Sequence, residues 1–295
     1  MPSPLAPSAR VRAAALALSL LLLATTASPS RAAEQLWYGT FNNNWWNVGN
    51  WLGIAIPAPT DTVFFGHDLS ILRSTVNLDA NATIHDLDLD SHPPNNEYLF
   101  TRTGNCVLTV TESSIFRNTV STNFVNSVTM SGFHLNTTDL QILDFTRLNV
   151  QSNSHVAVTS ILSIDPEAEL SVTTGTFEMG VDSRADVDGK WSIGQNTTLG
   201  HSTLIRVLQP TGLLSVTGGF NFSNASEVSI FNGGDVVGNA FIDIGNTGSS
   251  TVSISDAGST WTAMGTSDWG LALSLGATEA LRLRAPTLGL RSPTR

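Results

Sequence analysis

Ile164, Val187, Val207, Ile230 and Ile254 each sit in a short alternating run and follow one another at steps of 23, 20, 23 and 24 residues. This recurrence limits the fold more than any other feature of the chain. A unit of about 20–25 residues cannot bury its apolar face alone, so neighbouring units must stack. Each unit has room for two or three short strands. The runs Leu148-Asn149-Val150, Leu170-Ser171-Val172, Ala185-Asp186-Val187, Leu204-Ile205-Arg206-Val207, Leu213-Leu214-Ser215-Val216 and Val252-Ser253-Ile254 supply them. Turns such as Thr174-Gly175, Asp188-Gly189, Thr211-Gly212 and Gly233-Gly234 punctuate the series, as strand boundaries require.

The expected class is therefore all-β, in the form of a β-solenoid (β-helix) whose rungs bury one side chain in two. A β-sandwich is the competing arrangement, because regularly spaced strands and turns also suit it. Composition disfavours helix: lysine occurs once, while Thr, Ser, Asn, Gly and Val fill the middle. After residue 34 no segment sustains apolar spacing at helical period for three turns.

The two ends differ from the body. Arg10 and Arg12 precede the apolar run Ala13–Leu23 and small residues up to Ala32, the pattern of a secretory signal peptide over 1–33. That apolar run is short of the roughly 20 residues a membrane span needs. No transmembrane helix is expected after it, and the expected location is extracytoplasmic, secreted or at a cell surface. Residues 34–65 read as a cap and first strand, 66–280 as the repeats, and 281–295 as a disordered basic tail. Residues 34–280 hold 24 acidic and 7 basic residues, a net of −17. Such a surface repels phosphate backbones, so no nucleic-acid partner is expected. Cys106 is the only cysteine; no disulfide framework holds the fold, and the thiol reads as a small buried hydrophobe.

Four of the seven tryptophans fall between Trp37 and Trp51. The block Trp37…Trp45-Trp46…Asn50-Trp51-x-Gly53…Pro57-x-x-x-Asp61-x-Val63-x-Phe65 resembles the opening of bacterial autotransporter-associated β-strand-repeat proteins, including PEP-CTERM-type exported surface proteins. Val252-Ser253-Ile254-Ser255-Asp256-Ala257-Gly258-Ser259-Thr260-Trp261 is similar to their Gly-x-Gly-Ser-x-Trp rung. The resemblance covers 37–65 with specific residues and 160–275 loosely. It implies a right-handed parallel β-helix, export, and a passenger or adhesin-like role without catalytic residues. The family's C-terminal barrel or sorting region has no counterpart in the sequence.

The tryptophan block admits two uses. Indole faces stack on sugars, and adjacent Trp45 and Trp46 are the candidate polysaccharide-binding pair, because neighbours on an extended chain point opposite ways. The other use is a lid over the open end of the stack. Asp86, Asp88 and Asp90 alternate with Leu87 and Leu89. Same-face residues lie about 6.6–6.8 Å apart on a strand, too far for one ion to take all three, so a solvated acidic face is expected. The six histidines show no His-x-x-x-His or His-Glu-x-x-His pair, and neither a metal nor another cofactor is expected. There is no Gly-x-Ser-x-Gly elbow or P-loop, and the few basic residues of the body share no strand or turn. The expected function is that of a non-catalytic surface protein. The alternative is a polysaccharide-binding or polysaccharide-degrading protein on the same scaffold.

Overall fold

The computed structural model describes residues 33–66, 75–90, 97–118, 126–194, 197–199, 203–217, 220–222, 227–238, 242–244, 250–255, 258–263, 271–275 and 280–283. The expected leader up to residue 32 lies outside the described residues; of the tail expected over 281–295, residues 281–283 belong to the strand Ala280–Leu283, paired with Thr260–Ala263, and the rest lies outside the described residues.

Strands stack in parallel to form a β-solenoid. Every pairing between strands is parallel, across a 16-stranded and a 10-stranded sheet. Consecutive antiparallel strands, the mark of a sandwich, are not found among the described pairings. Between residues 169 and 254 each coil contributes three strands. Glu169–Val172, Thr176–Met179 and Arg184–Val187 are followed by Lys190–Ile193, Thr197–Leu199 and Leu204–Leu208, each lying on its predecessor one coil earlier. In earlier coils the second and third strands fuse into long bent ones, Leu108–Arg117, His134–Ile142 and His155–Ile164.

The repeat positions read from the sequence are the structural equivalents. Ile164 pairs with Val187, Val187 with Val207, Val207 with Ile230, and Ile230 with Ile254. All five are buried. Alternation explains why: with a side-chain period of two, a rung out of register by one residue would turn its apolar set to solvent. Parallel columns of this kind fill the interior, for example Leu148, Leu170, Trp191, Leu214, Val236 and Trp261. Each fully buried Leu, Val or Ile contributes roughly 1.5–3 kcal/mol.

The bends need their own solution, because the ladder breaks there. Pairing shifts between Val110 and Ser113 and between Val158 and Ile161. Freed backbone donors are taken by carboxylates of the preceding coil: Ser113 N donates to Asp86 Oδ1 and Ile161 N to Asp139 Oδ1, each at 3.1 Å. Inside the bend the buried Ser114 hydroxyl donates to Thr137 Oγ1 at 3.0 Å. At the turns, Gly189 is dictated by space: a Cβ there would overlap the carbonyl oxygens of Asp165 and Ala168.

Candidate functional site

The N-terminal end of the solenoid is where the sequence concentrates its unusual residues, and among the described residues no coil precedes it there. Trp37, Trp45 and Trp51 are buried, with Trp51 edge-on to both others at centroid distances of 5.0 and 4.9 Å. All three rings reach Phe65, an inward residue of the first core rung. The indoles thus stand where the next rung's aliphatic side chains would be. Trp51 Nε1 donates to the Trp45 carbonyl at 2.7 Å, tying the two halves of the block.

The same segment closes both sheet edges. Trp45 N donates to Asn77 O at 2.9 Å and Asn77 N to Asn43 O at 2.7 Å, covering the first strand of the 10-stranded sheet. Leu52 N donates to Leu36 O at 2.8 Å and Trp37 pairs antiparallel with Trp51, covering the first strand of the other sheet. Unpaired edges invite pairing with another chain, and the cap removes them.

Asparagines hold the cap in shape. Asn50 is fully buried; its Oδ1 accepts from Phe41 N at 2.9 Å and Asn42 N at 3.1 Å. Its Nδ2 donates to Asn42 Oδ1 at 2.9 Å and Asn44 O at 2.8 Å. All four bonds available to an amide side chain are made. Asn44 Oδ1 accepts from Trp46 N, Asn47 Oδ1 from Gly49 N, and Asp61 Oδ2 from Ala58 N. The Asn-rich and Pro57-x-x-x-Asp61 stretches are therefore turn chemistry.

The candidate sugar-binding pair is divided by the cap. Trp45 is 0 % exposed, so it offers no face to a ligand; alternation drives one of two adjacent indoles inward, and Trp45 is that one. Trp46 lies half-buried against the core, its Nε1 donating to Ala80 O at 3.4 Å. The rings open to solvent are elsewhere: Phe41 is 67 % exposed, one face lying on Gly49, where a Cβ would strike the ring. Val48, Leu52 and Ile54 are exposed on the same segment.

The acidic strand Asp86–Asp90 is not a solvated face. Asp90 is buried and Asp88 nearly so, and Arg117, in register with Asp90 one coil on, reaches Asp88 Oδ2 at 2.6 Å and Asp90 Oδ2 at 3.8 Å. Asp86 accepts from Ser113 N and lies 2.7 Å from His85 Nδ1, a hydrogen bond that raises the His85 pKa. These carboxylates are structural. Cys106 is half-buried rather than fully buried, with its Sγ on Thr103 O at 3.0 Å.

Outer faces carry ladders whose rungs follow strand register. Arg147, Glu169 and Lys190 stack in one column, with Arg147–Glu169 at 2.8 Å and Lys190–Glu169 at 3.3 Å. Arg206 grips Asp186 through both Nε and Nη2 at 2.6 Å, and Arg184 reaches it at 3.0 Å. The Asp186 hydrogen bond raises the Arg206 pKa. Arg102 donates to the carbonyls of Gly132 and Cys106. At one corner Asp144, Asp165 and Asp188 follow one another on successive coils. Burial, then the neighbouring carboxylates, raise the Asp165 pKa, and burial, then Asp186, raise that of Asp188.

Comparison with protein-family models, with curated proteins and with solved structures returns no match. The resemblance to autotransporter-associated repeats rests on the residues quoted above. Among the described residues, no helix is long and apolar enough to cross a membrane, and no group of three or more His, Cys, Asp or Glu side chains is placed to hold a metal ion.

One pair escaped the sequence reading. His134 and His155 lie in register on adjacent coils, with ring centroids 5.4 Å apart. Their separation of 21 residues is one rung of the repeat, a spacing that short-range metal motifs never test.

Proposed function

We propose that this chain is an exported, non-catalytic surface protein of adhesin-like character, with a cell-surface or extracellular polysaccharide as its partner class. The observation that carries the reading is the state of the cations. Arg102, Arg117, Arg147, Arg184, Lys190 and Arg206 are the described basic side chains between 34 and 280, and each is held by carboxylates or carbonyls of the chain itself. Abstracting a proton beside a sugar carboxylate calls for a base or a charge-stabilising cation free to meet the substrate. Hydroxyl and amide side chains in cross-coil bonds, such as Asn149 to Ser127 at 2.8 Å and Thr101 to Asn77 at 3.2 Å, give the outer faces a regular polar texture instead. Such texture suits contact with an extended polymer.

The second reading, a polysaccharide-binding or polysaccharide-degrading protein, draws support from half-buried Trp46 and exposed Phe41, both in the cap. Binding on a glycan array probed with the purified protein is expected under both readings, and reducing-end assays on the polymers bound separate them. Turnover of any polymer overturns the non-catalytic reading. Binding lost in Trp46→Ala or Phe41→Ala assigns the sugar contact to the cap, and binding retained in both assigns it to the outer faces.

A further inference from the structure

Of the five large apolar side chains that stand exposed among the described residues, four belong to the cap: Phe41, Val48, Leu52 and Ile54. The cap holds them in one knot. The Phe41 ring lies on Gly49, beside Val48. The Asn50 side chain accepts from Phe41 N, and the turn that follows is closed by Ile54 N donating to Trp51 O at 3.1 Å. Apolar side chains gathered inside a polar rim mark an interaction surface, whereas single scattered ones do not.

The backbone at Ile54 points the same way. Its φ of +57° lies in the left-handed region, which β-branched residues rarely enter. The side chain is 75 % exposed, so little inside the chain offsets the strain. Strain of this kind persists at sites that serve a contact.

Charge selects the occupant. Residues 35–60 contain no Asp, Glu, Lys, Arg or His, whereas residues 34–280 as a whole carry a net of −17. A charged partner finds nothing to pair with in the cap, and the acidic body repels an anionic bilayer. A sugar polymer calls for hydrogen bonds, and the amides around the patch are bound within the cap. Asn50 makes all four of its bonds there, and Asn44 and Asn47 accept from Trp46 N and Gly49 N. The surface that complements an apolar, uncharged patch is another of the same kind. Two copies of this chain repel each other through their acidic bodies, and the cap is the longest stretch free of that repulsion.

We infer that Phe41, Val48, Leu52 and Ile54 form the interface of a homodimer in which two caps meet across a two-fold axis. Such a contact is self-complementary and closed, so it ends at two copies. Because the cap ends the stack, a contact confined to it keeps most of the acidic charge of both bodies away from the interface. The patch is small beside a standard protein interface, and the dimer is accordingly weak and concentration-dependent.

The test is sedimentation velocity of the purified full chain over a range of concentrations and salt. A monomer–dimer equilibrium is expected, tightening as salt screens the two bodies. Ile54→Asp and Leu52→Asp are each expected to weaken the dimer at least tenfold, and Val181→Asp, exposed outside the cap, not at all. Ile54→Gly relieves the left-handed backbone, so it is expected to weaken the dimer severalfold without lowering Tm. Hydrogen exchange of the wild type above and below the dimerisation midpoint is expected to add protection within residues 41–54; this readout needs no variant. A monomer at every concentration in high salt overturns the inference, and so does a dimer that Ile54→Asp leaves intact or added protection confined to the body. A chain that stays monomeric and pellets with zwitterionic vesicles assigns the patch to a bilayer and overturns the dimer.

Discussion

The cap and the body solve one problem with different chemistry. In the body each described coil is sealed by the next, and mostly aliphatic columns with an occasional aromatic such as Trp191 suffice because ladder and column continue. At the N-terminal end the column stops. There three indoles replace the missing coil, and asparagine amides replace the missing ladder. A quasi-one-dimensional stack gains stability from each interface, so its terminal unit needs an apolar inner face and a polar outer one. The lesson is that residue rarity here marks the end of a repeat before it marks a ligand.

That comparison is most exposed to failure at Trp51. Trp51→Ala removes three ring contacts and the Nε1 bond, and should cost about 3–5 kcal/mol. Hydrogen exchange should show the loss concentrated in the first coils; a loss spread evenly along the chain would mean the cap is not a separate terminal unit. Leu162→Ala, in the middle of a continuous column, should cost about 2–4 kcal/mol by denaturant unfolding. Its exchange effect should reach coils on both sides. Asn50→Ala leaves two backbone donors and one carbonyl of the part-buried cap without their side-chain partner, for a loss of about 1–3 kcal/mol. Asn50→Asp, which keeps the acceptor only, should recover part of it.

Smaller effects come from the outer ladders. Arg147→Ala breaks an exposed pair with Glu169 and should cost under about 1 kcal/mol, shrinking further in high salt. At the acidic corner the sign runs the other way. Asp165 is held above its ordinary pKa by burial and by Asp144, Asp188 and Glu167. Its ionised form is thus disfavoured in the folded state, and that penalty appears as pH rises through the raised pKa. Asp165→Asn should therefore melt slightly higher than wild type near pH 7, with the difference vanishing near about pH 3 where both states are protonated. A wild type that melts higher at neutral pH would contradict the like-charge corner.

Much of the fold is legible in the chain because a solenoid is local. Period two fixes which residues face inward, and the step between Ile164, Val187, Val207, Ile230 and Ile254 fixes which residues stack. Less legible are features that depend on what lies across a coil boundary. Asp88 and Asp90 look solvated until Arg117, nearly thirty residues on, is placed against them. Trp45 and Trp46 are equivalent in sequence, and only the position of Phe65 and the first strand of the 10-stranded sheet decides that Trp45 is the buried one.

Sequence by itself determined the all-β class, the rung length and the register of the later coils, since these follow from side-chain alternation and repeat spacing. Tertiary structure alone decided which coil lies on which charge, that the asparagines of the cap spend their amides on its turns, and that two histidines a rung apart become neighbours. The physical reason is the winding itself: residues about 20–25 positions apart come to adjacent strands about 4.8 Å apart, and chemistry between them cannot be read from adjacency in the chain.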